Sequence, residues 1–262
     1  MKKITIILLL AATLVSCSKV LITGRRQLQL VSDSEMSSLS LQSYNEFMNS
    51  AKLSKDTKNS ALVTSVGKKI TSAVEQYLRE TGNSSMISNF SWKFSLVESS
   101  DVNAFCLPGG QIVFYEGILP YTQNETGIAI VMGHEIAHAV AKHSAERISQ
   151  QIVVQYGAQI TDAMVANKSA ITRTAINSLY GIGSQVGVLL PYSRTQEYEA
   201  DRLGLIFAAM AGYNPNEAVG FWQRMSSGNS GKLEFLSTHP TDQNRINKIR
   251  EIMPEALKYY KK

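Results

Sequence analysis

The chain has 262 residues, 44% hydrophobic and 18% charged, which suits a globular protein with a real core and excludes a disordered or fibrous one. Its formal charge of +5 falls to +3 without Lys2 and Lys3. The basic residues are scattered, with no dense Lys/Arg stripe interleaved with aromatics, so nucleic acid is not an expected partner.

The chain opens on Lys2 and Lys3, followed by a mostly apolar run from Ile4 to Val15. That run is shorter than the roughly 20 residues a membrane-spanning helix needs. Small residues and Cys17 follow, the layout of a secretory signal. The stretch Leu14-Val15-Ser16-Cys17 also looks like a bacterial lipobox, whose cysteine is lipidated after cleavage. An ordinary signal peptide with a chance cysteine is the alternative. The lipobox reading makes 1–16 a lipoprotein signal peptide, 17–34 a lipid-anchored tether and 35–262 the folded domain. It implies attachment to a membrane through Cys17, in a Gram-negative-type envelope, on the periplasmic side. Ser18 in place of an acidic residue favours the outer membrane. Several acyl chains would anchor firmly where one would not. Cys106 is then left without a disulfide partner and reads as a small buried hydrophobe. Arg25-Arg26 and the end of the chain, Tyr259 to Lys262, read as solvated.

A helix is expected over 35–50, with Met36, Leu39, Tyr44 and Phe47 near one face and Ser34 as cap. A second carries Leu62, Val66, Ile70, Val74 and Tyr77 and stops at Gly82-Asn83. The pattern then alternates. Trp92–Val97, Val102–Leu107 and Gln111–Tyr115 read as strands of a small antiparallel sheet, with a hairpin at Gly109-Gly110. Beyond Pro120 the chain reads as helical: one long helix over 125–149, a weakly amphipathic stretch over 150–190, and helices over 194–211, 215–227 and 241–258. The fold class is therefore α+β and mostly helical, in one domain.

The long helix contains His134-Glu135-Ile136-Ala137-His138. Residues four apart on a helix lie nearly one above the other, so both imidazoles can share one zinc ion at about 2.0–2.1 Å. Glu135, one step round, reaches a water on the metal and is placed as general base. Three fixed residues at this spacing arise by chance in on the order of one per cent of chains this size. The apolar flank Ile128–Met132 argues further for a site, because a histidine pair in a buried helix needs a partner. A catalytic zinc also wants a third protein ligand and an open position. On a continuous helix His143 falls on the opposite face from His134, and the metzincin extension is absent, with Ala141 and Ser144 at its positions. His143 therefore reads as a surface or second-layer residue. Glu197 and Asp201, again four apart, are the better candidates: Glu197 as ligand, Asp201 as acceptor from the far nitrogen of a ligand histidine. The alternative is an exposed acidic helix face, which Glu199 fits.

With these residues in hand, the chain resembles the HtpX and CAAX-prenyl-protease family of gluzincin metallopeptidases, in particular its bacterial envelope lipoproteins. These share a character with the mitochondrial quality-control peptidase. The resemblance rests on Thr23 to Leu28, Val102 to Phe105 with Pro108-Gly109-Gly110, the HExxH with Ala139 to Arg147, Ser193 to Gly204, and His239-Pro240 with Arg245. It implies a gluzincin-type metalloprotease domain over 35–262, one zinc per chain, and Glu197 as third ligand. It also implies an edge strand beside the zinc, with Asn103, Ala104 and Phe105 receiving an extended polypeptide as an added strand. His239 and Arg245 match positions near the site. No apolar run reaches about 18 residues, which argues against activity inside the bilayer.

The expected reaction is peptide hydrolysis in misfolded or unassembled envelope proteins. A bound zinc would polarise the scissile carbonyl and bring its water toward a pKa of about 7. Glu135 would take the water's proton and pass it to the leaving amine. His239 or Arg245 would help hold the oxyanion, and His239 is also placed to fill the open zinc position in a resting state. Two rivals stand beside this: a chaperone or scaffold in envelope assembly complexes, its gated zinc site covered by 150–190, and a zinc amidase acting on cell-wall peptides. The Gly181–Gly187 run has one residue too many for a dinucleotide loop, and Asn89-Phe90-Ser91 is a chance glycosylation sequon.

Overall fold

In a computed structural model of the chain, the described residues are 17–156, 169–174, 192–227, 233–240 and 242–261. The expected signal segment 1–16, most of the 150–190 stretch and the Gly181–Gly187 run lie outside them.

Residues 17–34, expected as a tether, pack onto the domain. Strands β1 (Cys17–Lys19) and β2 (Arg26–Leu28) form an antiparallel hairpin with Cys17 opposite Leu28. Gly24 supplies its turn at φ 67°. Val20 enters the main core, and buried Gln27 donates to the Ala141 carbonyl at 2.9 Å. Strands of three residues are too short to show alternation in the sequence.

Helix α1 (Asp33–Ser50) begins two residues before the expected start, because the Ser32 hydroxyl accepts the Glu35 N–H and caps it. Helix α2 (Thr57–Glu80) buries Val66, Ile70, Val74 and Tyr77, and the chain leaves it at Gly82, φ 75°. The sheet is mixed, not antiparallel. Strands β4 (Ala104–Leu107) and β5 (Gln111–Tyr115) form the expected hairpin, with Ala104 opposite Phe114. Strand β3 (Lys93–Val97), however, runs parallel to β5, giving the order β3-β5-β4. Residues 98–103 carry the chain across the sheet, which leaves β4 at one edge. Alternate residues face opposite sides: Ala104, Cys106, Ile112 and Phe114 join the main core, while Phe105, Leu107 and Val113 join a smaller one under α1.

A short helix α3 (Leu119–Thr122) precedes α4 (Glu125–Val140) and α5 (His143–Tyr156). The expected single helix over 125–149 is thus two, broken where Lys142 takes φ 61°, a left-handed conformation that ends a helix. Helices α6 (Arg194–Met210), α7 (Glu217–Ser227), α8 (Glu234–Thr238) and α9 (Gln243–Ala256) complete the domain. Helix α6 crosses α4 backbone to backbone. A Cβ on Gly204 would lie 2.8 Å from the His134 nitrogen, and one on Gly133 would lie 2.7 Å from the Gly204 carbonyl oxygen. One continuous core joins α2, the sheet, α4, α6, α7 and α9. Each large apolar side chain buried there contributes about 1.5–3 kcal/mol. Among the described residues, no helix is long and apolar enough to cross a membrane.

Candidate active site and metal centre

The site is assembled on α4. Asn124 caps this helix by accepting the Gly127 N–H at 2.9 Å, and every residue from Gly127 to Val140 is buried. Polar groups in so dry a stretch must find partners. His134 and His138 present their Nε2 atoms 3.1 Å apart. Glu197, in the first turn of α6, places Oε1 3.3 Å from His138 Nε2 and Oε2 3.6 Å from His134 Nε2. A reciprocal capping box between Ser193 and Gln196 fixes that turn. His239, just past α8, brings Nδ1 to 3.2 Å from His134 Nε2 and 3.0 Å from Glu197 Oε1.

One donor atom from each of His134, His138, Glu197 and His239 lies within 4.8 Å of the others. A tetrahedral zinc with bonds of 2.0–2.1 Å spaces its ligand atoms about 3.3 Å apart, and the separations here bracket that value. Protonation states fit as well. Burial pushes both His134 and His138 below the ordinary histidine range, leaving neutral rings with lone pairs. Burial also opposes charge on Glu197, but neighbouring Arg245 and His239 outweigh it and hold the carboxyl well below its usual range. Two neutral nitrogens and an anion are the form in which such groups bind a metal.

Glu135 lies beside this cluster. Its Oε1 meets no hydrogen-bond donor among the described residues and stands 3.4 Å from His239 Nε2. Burial drives its carboxyl up to about 7, a value suited to proton transfer. Asp201 sets Oδ1 3.0 Å from His134 Nδ1. Arg245, from α9, pairs with both Asp201 oxygens at 2.8 Å and with Glu197 Oε2, and its guanidinium lies over the Trp222 ring at 3.7 Å. Ala104 and Phe105 begin the edge strand and Asn103 lies just before it, but all three are buried, and the Phe235 N–H occupies the Val102 carbonyl at 3.0 Å.

Two residues differ from expectation, and a third meets one of its two readings. His143, expected as a surface or second-layer residue, lies in the second layer, fully buried, because the break at Lys142 returns the chain beneath His138; the two Nδ1 atoms are 2.8 Å apart. Glu199, expected on an exposed face, is buried against His143 Nε2 at 3.1 Å. Arg25, expected to be solvated, reaches in from the N-terminal hairpin to Glu199 and Glu146. Tyr192 was not foreseen either; it stacks on His138 with ring centroids 3.9 Å apart. No spacing rule signals a stacking ring so far along the chain.

A family model described as Peptidase family M48 matches residues 68–253. The chain belongs to peptidase family M48. As an M48 member it is 39% identical over 173 residues to the mitochondrial metalloendopeptidase OMA1 of Schizosaccharomyces pombe, a match covering 65% of this chain and 49% of that protein. It is 34% identical over 252 residues to the mitochondrial metalloendopeptidase OMA1 of Bos taurus, covering 92% of this chain and 45% of that one. It is 29% identical over 189 residues to the beta-barrel assembly-enhancing protease of Yersinia pestis, covering 67% and 38%. The chain spans about half the length of the first two of these relatives. The mitochondrial names overturn the expected location, lipid-anchored at the outer membrane of a Gram-negative-type envelope: relatives from yeasts, cattle, a plant and humans point instead to mitochondrial peptidases.

Proposed function

We propose that this M48 chain is a zinc metalloendopeptidase that cleaves extended segments of misfolded or unassembled polypeptides. The observation that carries the reading is the buried meeting of His134, His138 and Glu197 from two helices, with Glu135 alongside at a carboxyl pKa of about 7. In this reading the two histidines and Glu197 hold one zinc per chain. When bound, the ion supplies Lewis acidity toward the scissile carbonyl and the attacking water. Glu135 receives the water's proton and returns it to the leaving amine. Asp201 keeps the N–H of His134 on Nδ1, so that Nε2 offers its lone pair. Arg245 neutralises Glu197 and Asp201 together and lends positive charge where an oxyanion develops. His239 either assists that oxyanion or, in the resting state, fills the fourth metal position with Nδ1.

Substrate would lie along β4 as an added strand at Asn103, Ala104 and Phe105, once the cover formed by Phe235 and its neighbours has moved. The printed name of the Yersinia pestis relative, a beta-barrel assembly-enhancing protease, supports unassembled polypeptides as the substrate class. Within the family, the Thr23–Leu28 and Val102–Phe105 motifs support kinship with HtpX and CAAX-prenyl-protease members. The peptidase domain would span 35–262, with the 17–28 hairpin docked on it. Lipid on Cys17 is a separate proposal; an intact mass heavier than the polypeptide by acyl chains is its expected signature, and an unmodified cysteine removes it.

The covered edge and the position of His239 favour one rival, a scaffold whose zinc site seldom opens. Metal content and cleavage of an unfolded protein, measured for wild type and Glu135→Gln, separate the two. Zinc near one per chain, with cleavage lowered about 10²–10⁴-fold in the variant, is expected. A zinc-loaded wild type that cleaves nothing overturns the peptidase reading and leaves the scaffold.

A further inference from the structure

Behind His138, on the side away from Glu197, runs a polar chain, buried at His143 and Glu199 and half-buried at Arg25, to which the hydrolytic reading gives no role. His138 Nδ1 meets His143 Nδ1 at 2.8 Å, and His143 Nε2 meets Glu199 Oε2 at 3.1 Å. Arg25 grips Glu199 through Nε to Oε1 at 3.0 Å and Nη2 to Oε2 at 2.9 Å, and the Thr23 hydroxyl donates to Oε1 at 2.6 Å. The rest of the guanidinium holds Glu146 at 2.6 and 2.8 Å. Glu146 in turn accepts from the Gln196 amide at 2.7 Å, the residue that caps the turn carrying Glu197. Half-buried ion pairs such as those of Arg25 contribute little net stability, since desolvation and screening offset their attraction. Such a network calls for another explanation.

We propose that Arg25 is a positioning residue for the metal site, acting through Glu199 and His143 to fix the tautomer and orientation of His138. The inference rests on the reading of His138 as a metal ligand. A neutral imidazole carries one N–H. Glu199, an acceptor only, places the His143 hydrogen on Nε2. His143 Nδ1 is then an acceptor, so His138 must donate from its own Nδ1. His138 Nε2 is left with a lone pair aimed at the cluster of His134 and Glu197. The opposite arrangement, with His143 donating from Nδ1, would put a hydrogen on His138 Nε2 and close it to a metal. The fork of Arg25 keeps Glu199 in register with His143 and selects the open form. Because Arg25 sits at the turn of the β1–β2 hairpin, docking of the N-terminal segment and readiness of the metal site are linked.

The test uses the full chain as wild type, Arg25→Ala, Arg25→Lys and Glu199→Gln. Zinc affinity is read by competition with a chromophoric chelator, and imidazole tautomers by long-range ¹H–¹⁵N NMR of the zinc-free protein. Arg25→Ala and Glu199→Gln should weaken zinc about 10–100-fold. Arg25→Lys, which keeps a cation beside Glu199, should bind closer to wild type than to Arg25→Ala. In Glu199→Gln the amide can donate to His143 Nε2, so the His143 hydrogen should move to Nδ1. Unchanged affinity and an unchanged His143 tautomer in Glu199→Gln overturn the proposal, as does equal loss in Arg25→Lys and Arg25→Ala. If Arg25→Ala does not fold, the near-isosteric Glu199→Gln decides alone. A wild type that binds no zinc is a different failure, that of the metal-site reading itself.

Discussion

Arg245 holds two buried carboxylates at once, Glu197 and Asp201, and is itself only 2% exposed. Removing one partner of a buried charge pair strands the other, at a cost of about 3–5 kcal/mol. Arg245→Ala strands two, so urea unfolding should show a loss at least in that range, together with loss of bound metal. Glu135→Gln is the contrasting case, because its carboxylate has an unpaired oxygen; its stability should stay near wild type while cleavage falls. The centre of the site was legible from the sequence, since His134, Glu135 and His138 share a helix whose geometry is known before the fold is. The partners of His143, Glu199 and Arg25 were not. The second-layer reading of His143 holds, but the unbroken helix fails at Lys142, and the exposed readings of Glu199 and Arg25 fail through contacts with residues distant in the chain. Cys106 is buried in the main core, as read from the sequence, and burial pushes its thiol well above the ordinary range, as expected of an inert buried cysteine.

Two helices meet where neither has a side chain. At the α4–α6 crossing, a methyl group on Gly204 would collide with backbone, which cannot rotate away. Gly204→Ala should therefore destabilise by about 1–3 kcal/mol, even though alanine favours helix by about 0.5–1 kcal/mol. It should also weaken metal binding, since α4 carries the histidines and α6 carries Glu197; denaturant melts and metal content check both. At the start of α4, Glu125 accepts from the Tyr213 hydroxyl at 2.6 Å and from Lys69 at 2.9 Å, and these bonds hold its carboxyl below the ordinary 4.5. A lowered folded value means the stabilisation is complete above about pH 4.5 and fades as the pH falls toward the folded value. Tyr213→Phe should flatten that acid limb by at most about 1 kcal/mol, because Glu125 is 41% exposed, as unfolding across the acid range would show. Long helices were legible at this scale because their apolar period extends over many residues. The parallel pairing of β3 was not, because alternation reveals a strand and says nothing of its neighbour.

A metal held by His134 and His138 on α4, Glu197 on α6 and His239 after α8 would cross-link the domain. Zinc at a thousandfold excess over its dissociation constant should add about 4.1 kcal/mol to unfolding free energy. Calorimetry should then show a higher midpoint with zinc than with chelator, and no difference in His138→Ala. The mostly helical α+β fold class followed from composition and period; the docking of the 17–28 hairpin did not. The position of Arg245 in α9 has a consequence for synthesis. The ribosome delivers His134, Glu135, His138 and Glu197 well before Arg245, so an unfinished chain owns its hydrolytic groups but lacks the cation that allows two carboxylates to sit together in the dark of the core. On the proposed reading, the site is completed only when α9 folds back and brings Arg245 to Glu197 and Asp201. Stalled chains ending before Arg245 should capture no zinc, whereas chains extended past α9 should.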